Sequence, residues 1–457
     1  MKKRLIGLIL AVLLIVVFSV IAPFEGLDHA GMISIGIFLG AIVCFVTNVF
    51  PMAITCLVLM VITPWFGIGS LTQVWADFGG TSFFFVMFTF GLMAAMSVTT
   101  LPQRVAAGLT KISKGKGKPL VFGFMIVAAV LSGFMSNFGT LIMFCTLITA
   151  FLTATGRKPG ESGIGRSLML GLPLTCCAGG LIAPSGTPGN LIAQSFFDTM
   201  LGETVSFGSW FISYFPLVIV CVIIISLIMC IIFKPENLPQ DKMQSVIDDV
   251  KALGPMTWKE KAIIIIYVLT IVCWFMSTWF PVLNTTVIAA IALGIMFLPG
   301  LDLVTWKDVA RESDWNLLFV VGAVAVTMGC VNTTGAMDWV VDKAFANVAN
   351  WSTFMIFFIF NIVIMILRTC IPTAPSTPAI FTPILISVAG VAGVSPIALG
   401  MIPVIWASFP MLLIYTEPIY LYTFAYGYYK PFDLDKFGPA LSIVMCIVLS
   451  FLLPTMF

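Results

Sequence analysis

Two successive interruptions of an otherwise apolar chain constrain this sequence more than any other feature. The first is Leu131-Ser132-Gly133-Phe134-Met135-Ser136-Asn137-Phe138-Gly139-Thr140, where hydroxyls, an amide and two glycines stand between hydrophobic runs. The second, Ala178 to Ile192, carries four glycines and two prolines within an apolar run from Ser167 to Phe197. In hydrocarbon every backbone N–H and C=O needs a partner, so irregular backbone survives at depth only beside protein, water or a ligand. The first stretch reads as the tip of a re-entrant helical hairpin. The second reads as a broken helix, whose freed carbonyls and N–H groups can hold a cation and an anion side by side.

The rest of the chain sets the solvent. Of 457 residues, 60% are hydrophobic and 9% charged, which is the composition of a polytopic, all-α membrane protein. His29 is the only histidine, so imidazole triads and multi-histidine metal centres are excluded. No aspartate pair or Ser–Lys pairing stands within the apolar core, which argues against an intramembrane enzyme. The cysteines lack metal spacing and read as small packing residues. A net charge of +2 gives no reason to expect nucleic acid as a partner.

Apolar spans are expected at 5–22, 31–47, 50–66, 79–100, 209–233, 262–280, 284–299, 315–334 and 438–457. Hairpins are expected at 119–154 and 352–390, and broken spans at 167–198 and 395–426. Counting each hairpin as returning to its own side gives about eleven crossings. Threaded from a cytoplasmic amino terminus, 20 of the 22 Lys and Arg residues fall inside, as the positive-inside rule requires. The exceptions are Lys343 and Arg368. The polar segment 234–261 divides two halves with the same order of parts, entered from opposite faces. This predicts inverted repeats: residues 1–30 as a first span with its outer loop, then 31–233 and 262–457. Scaffold spans occupy 31–100 and 262–334, and transport elements 119–233 and 352–457. Amphipathic linkers are expected over Leu101–Lys118 and Gly335–Asn350.

Several motifs, in order, resemble the divalent anion:sodium symporters, carriers of dicarboxylates, citrate or sulfate, over nearly the whole chain. Ser136-Asn137-Phe138 stands where that family has Ser-Asn-Thr. Ser185-Gly186-Thr187-Pro188-Gly189-Asn190 resembles its Ile-Gly-Thr-Pro-Pro-Asn break. Leu253-Gly254-Pro255-Met256-Thr257, Trp306-Lys307-Asp308, Trp315 to Gly322 and Thr334 to Trp339 resemble its linker and pre-hairpin motifs. The resemblance implies a secondary active transporter that works as a homodimer and moves its transport unit as an elevator. It implies a sodium site at Ser132, Ser136, Asn137 and the backbone near Gly186, with sodium as coupling ion and no other cofactor. Candidate substrate contacts are Ser136, Asn137, Thr140, Thr187, Asn190, Arg368, Thr373, Thr377, Glu417 and Pro418.

The second half departs from the pattern. Thr373-Ala374-Pro375-Ser376-Thr377 replaces Ser-Asn-Thr-Ala-Thr, and Ile414-Tyr415-Thr416-Glu417-Pro418-Ile419 replaces Ala-Thr-Pro-Pro-Asn. Both amides are gone, so a second sodium site is not expected. Arg368 and Glu417 have arrived instead. A charge at mid-bilayer costs at least about 2.5–3.5 kcal/mol and usually faces a cavity. Arg368 has four readings: holding the anion, pairing with Glu417, bonding a hairpin carbonyl, or snorkelling to the outer interface. Glu417 is read as a proton carrier, a cation ligand or that partner. Coupling by sodium or by proton, and symport, exchange or uniport, remain open at this point. Tyr415 and Tyr420 flank the second break as possible donors to a substrate oxygen. Tyr426, Tyr428 and Tyr429 are expected in an interfacial aromatic belt.

Overall fold

A computed structural model describes residues 2–203, 205–238, 254–277, 279–280, 282–371, 373–409, 411–412 and 417–456, some helical residues by backbone alone. Every regular element among them is helical. The first half runs α1 (Lys2–Val20), α2 (His29–Thr47), α3 (Met52–Trp65), α4 (Leu71–Phe78), α5 (Thr81–Ser97) and α6 (Leu101–Ser113). It continues with α7 (Gly117–Ser132), α8 (Asn137–Ala154), α9 (Gly163–Gly179), α10 (Pro188–Phe196), a π-helical turn at Phe197–Leu201, and α11 (Phe207–Ile232). The second half runs α12 (Trp258–Met276), α13 (Thr285–Met296), α14 (Trp306–Glu312), α15 (Trp315–Asn332) and α16 (Ala336–Phe345). Then follow α17 (Thr353–Cys370), α18 (Ser376–Ala392), α19 (Pro396–Gly400), α20 (Ile402–Ser408), α21 (Pro418–Phe424) and α22 (Gly438–Met456).

The helix starts are written locally. Asp28, Ser136, Ser162, Thr187, Ser206, Asn284, Ser352 and Ser395 each accept a hydrogen bond from a first-turn N–H of the helix they precede. An N-cap oxygen satisfies one of the four donors that a helix start leaves open. Thr257 with Glu260 and Thr305 with Asp308 form reciprocal capping boxes at α12 and α14. Glu260 also accepts from the Thr100 hydroxyl at 2.6 Å and the Thr100 N–H at 2.7 Å, tying the start of the second half to the start of α6.

Five helices, α1, α2, α11, α17 and α22, are long and apolar enough to cross a bilayer alone, among the described residues. The hairpins fall where expected, as α7–α8 and α17–α18. So do the broken span α9–α10 and the upper part of the second, α19–α20. The expected linkers are α6 and α16. The short helices α4 and α14 fall in segments that the hydropathy assignment leaves between spans.

In packing, α3 lies on α15 and α5 on α13, while α9 lies against α7, α8 and α11. α18 packs on α19 and α20, and α17 packs on α22. α10 touches both α18 and α15, so the first break is set between the second hairpin and the span before it. One continuous apolar core joins these elements. The aromatic belt needs a correction. Tyr428 and Tyr429 are each 3% exposed and turn inward, Tyr429 donating to the Tyr420 carbonyl at 2.8 Å. A phenol that finds a buried acceptor gains more from burying its ring than from an interface.

Candidate functional site

The first hairpin turns within four residues. α7 ends at Ser132, and Ser136 caps α8 by accepting from the Gly139 N–H at 2.9 Å. Tyr267 of α12 donates to the Phe134 carbonyl at 2.6 Å and so holds the turn from outside. The Ser132 hydroxyl, fully buried, lies 2.7 Å from Asn137 Oδ1 and 2.8 Å from the Cys176 carbonyl oxygen. Three oxygens therefore converge where the tip meets the end of α9.

The first break is built against that point. α9 ends at Gly179, and Thr187 caps α10 by accepting from the Asn190 N–H at 3.3 Å. Asn190 reaches back, its Nδ2 donating to the carbonyls of Gly180 and Ala183 at 2.8 Å each. Trp210 of α11 donates to the Leu181 carbonyl at 2.9 Å. The freed carbonyls thus have protein partners, the condition for irregular backbone at depth. Two glycines are obligatory here. A Cβ on Gly186 would collide with the Gly180 carbonyl, and one on Gly180 would stand 2.6 Å from Asn137 Oδ1.

The second hairpin is held differently. Arg368 lies in the last turn of α17, 3% exposed, and pairs through Nη2 with the Glu417 carboxylate. Its Nη1 donates to the Ile371 carbonyl at 2.9 Å. Thr373 and Ser376 share a hydrogen bond of 2.6 Å across the turn. Glu417 is the residue before α21, so one guanidinium joins the second tip to the second break. Ile414, Tyr415 and Thr416 lie outside the described residues, as does the Pro418 side chain.

A cavity of about 220 Å³ lies between these parts. Asn137 and Phe138 of the first tip, Cys177, Thr187, Pro188 and Gly189 of the first break, and Ala374 and Pro375 of the second tip line it. Ala407, Ser408, Glu417 and Ile419 close it. Of the expected contacts, Asn137, Thr187 and Glu417 share this cavity. Ser136 does not. Its hydroxyl accepts from the Gly139 N–H as the cap, and its side chain lines a separate cavity of about 410 Å³ with Met93, Ser97 and Glu312. Arg368 stands behind Glu417, outside the lining. Thr373 is bonded within its own turn.

Thr140, Asn190 and Thr377 are fully buried beside the tips and the break. Thr140 Oγ1, Asn190 Oδ1 and Thr377 Oγ1 have no hydrogen-bond partner among the described residues, nor has the buried hydroxyl of Tyr420. Native interiors rarely leave such atoms unpaired, so these four are polar groups with capacity for a further hydrogen bond beside the tips and the break. Cys177 and Ser408 are lining residues that sequence reasoning missed. A cysteine beside Cys176 and a serine at the end of an apolar helix carry no local signal. Asn361, fully buried, accepts from the Trp406 indole at 2.8 Å and fixes α20 on α17 behind the ion pair. No group of three or more His, Cys, Asp or Glu residues is placed to hold a metal ion, among the described residues. Neutral oxygens at a tip and a break suit an alkali cation instead.

Two helical hairpins meeting two interrupted helices around a cavity with a few polar groups in a mostly apolar wall, in an apolar helical chain, define a membrane transporter. The chain belongs to the family described as the sodium:sulfate symporter transmembrane region, which it matches over residues 2–455. The sodium-dependent dicarboxylate transporter SdcS of Staphylococcus saprophyticus is 26% identical over 431 residues, covering 89% of this chain and 82% of that relative. The citrate/succinate antiporter of Escherichia coli is 24% identical over 277 residues, covering 59% and 54%. Among solved structures, MtrF of Neisseria gonorrhoeae superposes with a TM-score of 0.60 at 14% identity, over 83% of each chain. The YdaH transporter of Alcanivorax borkumensis gives 0.57 at 13% identity, over 99% of this chain and 98% of that one. These likenesses concern the fold.

Proposed function

We propose that this protein is a secondary active transporter that moves a small carboxylate anion, a di- or tricarboxylate, through the cavity between its two tips. The observation that carries the reading is the cavity itself, where Asn137, Thr187 and Ser408 offer neutral polar groups beside a buried guanidinium one residue behind the wall. The names of the relatives, dicarboxylate transporter and citrate/succinate antiporter, point to the same class of cargo.

Sodium is the proposed coupling ion. Ser132 Oγ, Asn137 Oδ1 and carbonyls near Gly186 would hold it, with Ser136 acting as the cap that aims Asn137. In this reading the halves are inverted repeats, and residues 119–233 and 352–457 move as an elevator against scaffold spans 31–100 and 262–334. The carrier works as a homodimer in the cell membrane, with its amino terminus in the cytoplasm. An exchange mode is the second reading, favoured by the Arg368–Glu417 pair. A guanidinium fixed to the protein is never released, so it contributes no coupling. Uptake of labelled succinate into proteoliposomes tests both. An inward sodium gradient should drive accumulation with a Hill coefficient near one. Uptake that needs internal succinate and ignores sodium would establish exchange. Uptake of neither succinate, citrate nor sulfate would reject the anion reading.

A further inference from the structure

Glu417 is the one acidic residue in the wall of the cavity between the tips, among the described residues. It makes no side-chain cap bond to α21, although it stands at that helix's N-cap. Its carboxylate turns instead to Arg368, whose other Nη is anchored on the Ile371 carbonyl. The charged and titratable groups that face Glu417 are Arg368 from α17, Cys177 from α9 and Tyr420 from its own helix. Every other described group in the wall is neutral. An ionised Glu417 therefore presents a carboxylate to an incoming carboxylate, while the nearby guanidinium is already matched. Like charges sharing one site disfavour the ionised form of one of them. A protonated Glu417 reverses both effects. It removes the repulsion between the two carboxylates, leaves the Arg368 charge unmatched by Glu417, and has an O–H of its own to donate.

We propose that Glu417 takes up a proton as the anion binds, so that proton and anion travel together. The proposal rests on the reading that this cavity holds a carboxylate substrate. On the loading side a proton passes from water to a Glu417 oxygen and one O–H bond forms. On the releasing side that bond breaks, the proton returns to water and Glu417 pairs with Arg368 again. Arg368 stays charged throughout, as guanidinium does. Linkage makes the effect reciprocal: protonation strengthens anion binding by the factor by which the anion strengthens protonation. Sodium at the first tip and a proton at the second break would then be separate coupling ions.

Calorimetry of the full-length protein in detergent tests this. Succinate is titrated at saturating sodium, in buffers of different ionisation enthalpy, between about pH 7 and pH 8.5, where it is a dianion. Wild type should take up about one proton per succinate, and its Kd should rise about tenfold per pH unit at the alkaline end. Glu417→Gln should bind with a Kd that does not change with pH and take up no proton. Succinate binding by wild type with heats independent of the buffer would overturn the proton role and leave the anion reading standing. The same proton uptake in Glu417→Gln would overturn it too. Absence of any succinate, citrate or sulfate binding would remove both. If Glu417→Gln does not fold, the wild-type buffer series alone decides.

Discussion

The two tips solve one problem with opposite chemistry. At the first, Ser132, Asn137 and the Cys176 carbonyl bring neutral oxygens together. At the second, a buried Arg368–Glu417 pair ties hairpin to break. Neutral oxygens bind a cation that can leave again, whereas a guanidinium is a cation that cannot. In the proposed reading one end would hold a coupling cation, while the other keeps a fixed guanidinium whose charge Glu417 matches in this structure. The cost also differs. Serine and asparagine lose little when their cation departs, but a buried ion pair broken on one side leaves an uncompensated charge.

The largest expected effect breaks the comparison at the charged end. Arg368→Gln should destabilise the protein by about 3–5 kcal/mol, because Glu417 loses its buried partner. Thermal unfolding in detergent checks this. Adding Glu417→Gln should restore most of the stability without restoring succinate binding, since no guanidinium remains. Full recovery of transport in the double variant would make the pair a purely structural clamp.

Next comes the neutral end. Asn137→Ala removes an oxygen from the proposed cation site and an amide from the cavity. At about 1.5–3 kcal/mol for a hydrogen bond to a charged group, sodium-driven uptake should fall about 10–100-fold. The unfolding temperature should move little, because Asn137 borders a cavity. Uptake equal to wild type would place the site elsewhere. Ser136→Ala should act more weakly, costing about 1 kcal/mol as a lost N-cap. It should lower the unfolding temperature with only a few-fold loss of uptake. The reverse pattern, a large loss of sodium dependence at unchanged stability, would make Ser136 a ligand.

How far the sequence was legible follows from where each signal lies. The first tip and break could be read from neighbours in the chain, because glycine, proline and polar residues inside an apolar run are local marks. So could Arg368 and Glu417 as anomalies. That they meet was one reading among several, which the sequence alone left open, since 49 residues separate them and the contact depends on how α17 lies against the second break. Ser136 shows the limit of motif reading. It stands in the expected motif, but a serine three residues before Gly139 is also an N-cap, and in the structure its oxygen does that. Cys177 and Ser408 became lining residues only once the helices were assembled.

The smallest effect serves as a control far from either tip. Glu260 lies in the first turn of α12, ahead of the apolar span expected at 262–280, and accepts from the Thr100 hydroxyl, then from the Thr257 N–H and the Thr100 N–H. These bonds favour the carboxylate and hold its pKa down to about 2. A carboxyl depressed on folding adds stability that is fully present above its unfolded pKa, near about 4.5, and is lost as pH falls toward about 2. Glu260→Gln keeps the shape and removes the charge. It should lower stability at neutral pH by about 1 kcal/mol, the worth of a modest hydrogen-bond loss. The gap to wild type should close as pH is lowered through about 4 to about 2, because wild type then becomes neutral as well. Sodium dependence and succinate affinity at neutral pH should match wild type, since the residue touches neither tip. A shift in either would mean that the Thr100–Glu260 tie between the halves sets the geometry of the site. The contrast between the two tips would then have to be judged against motion of the whole frame.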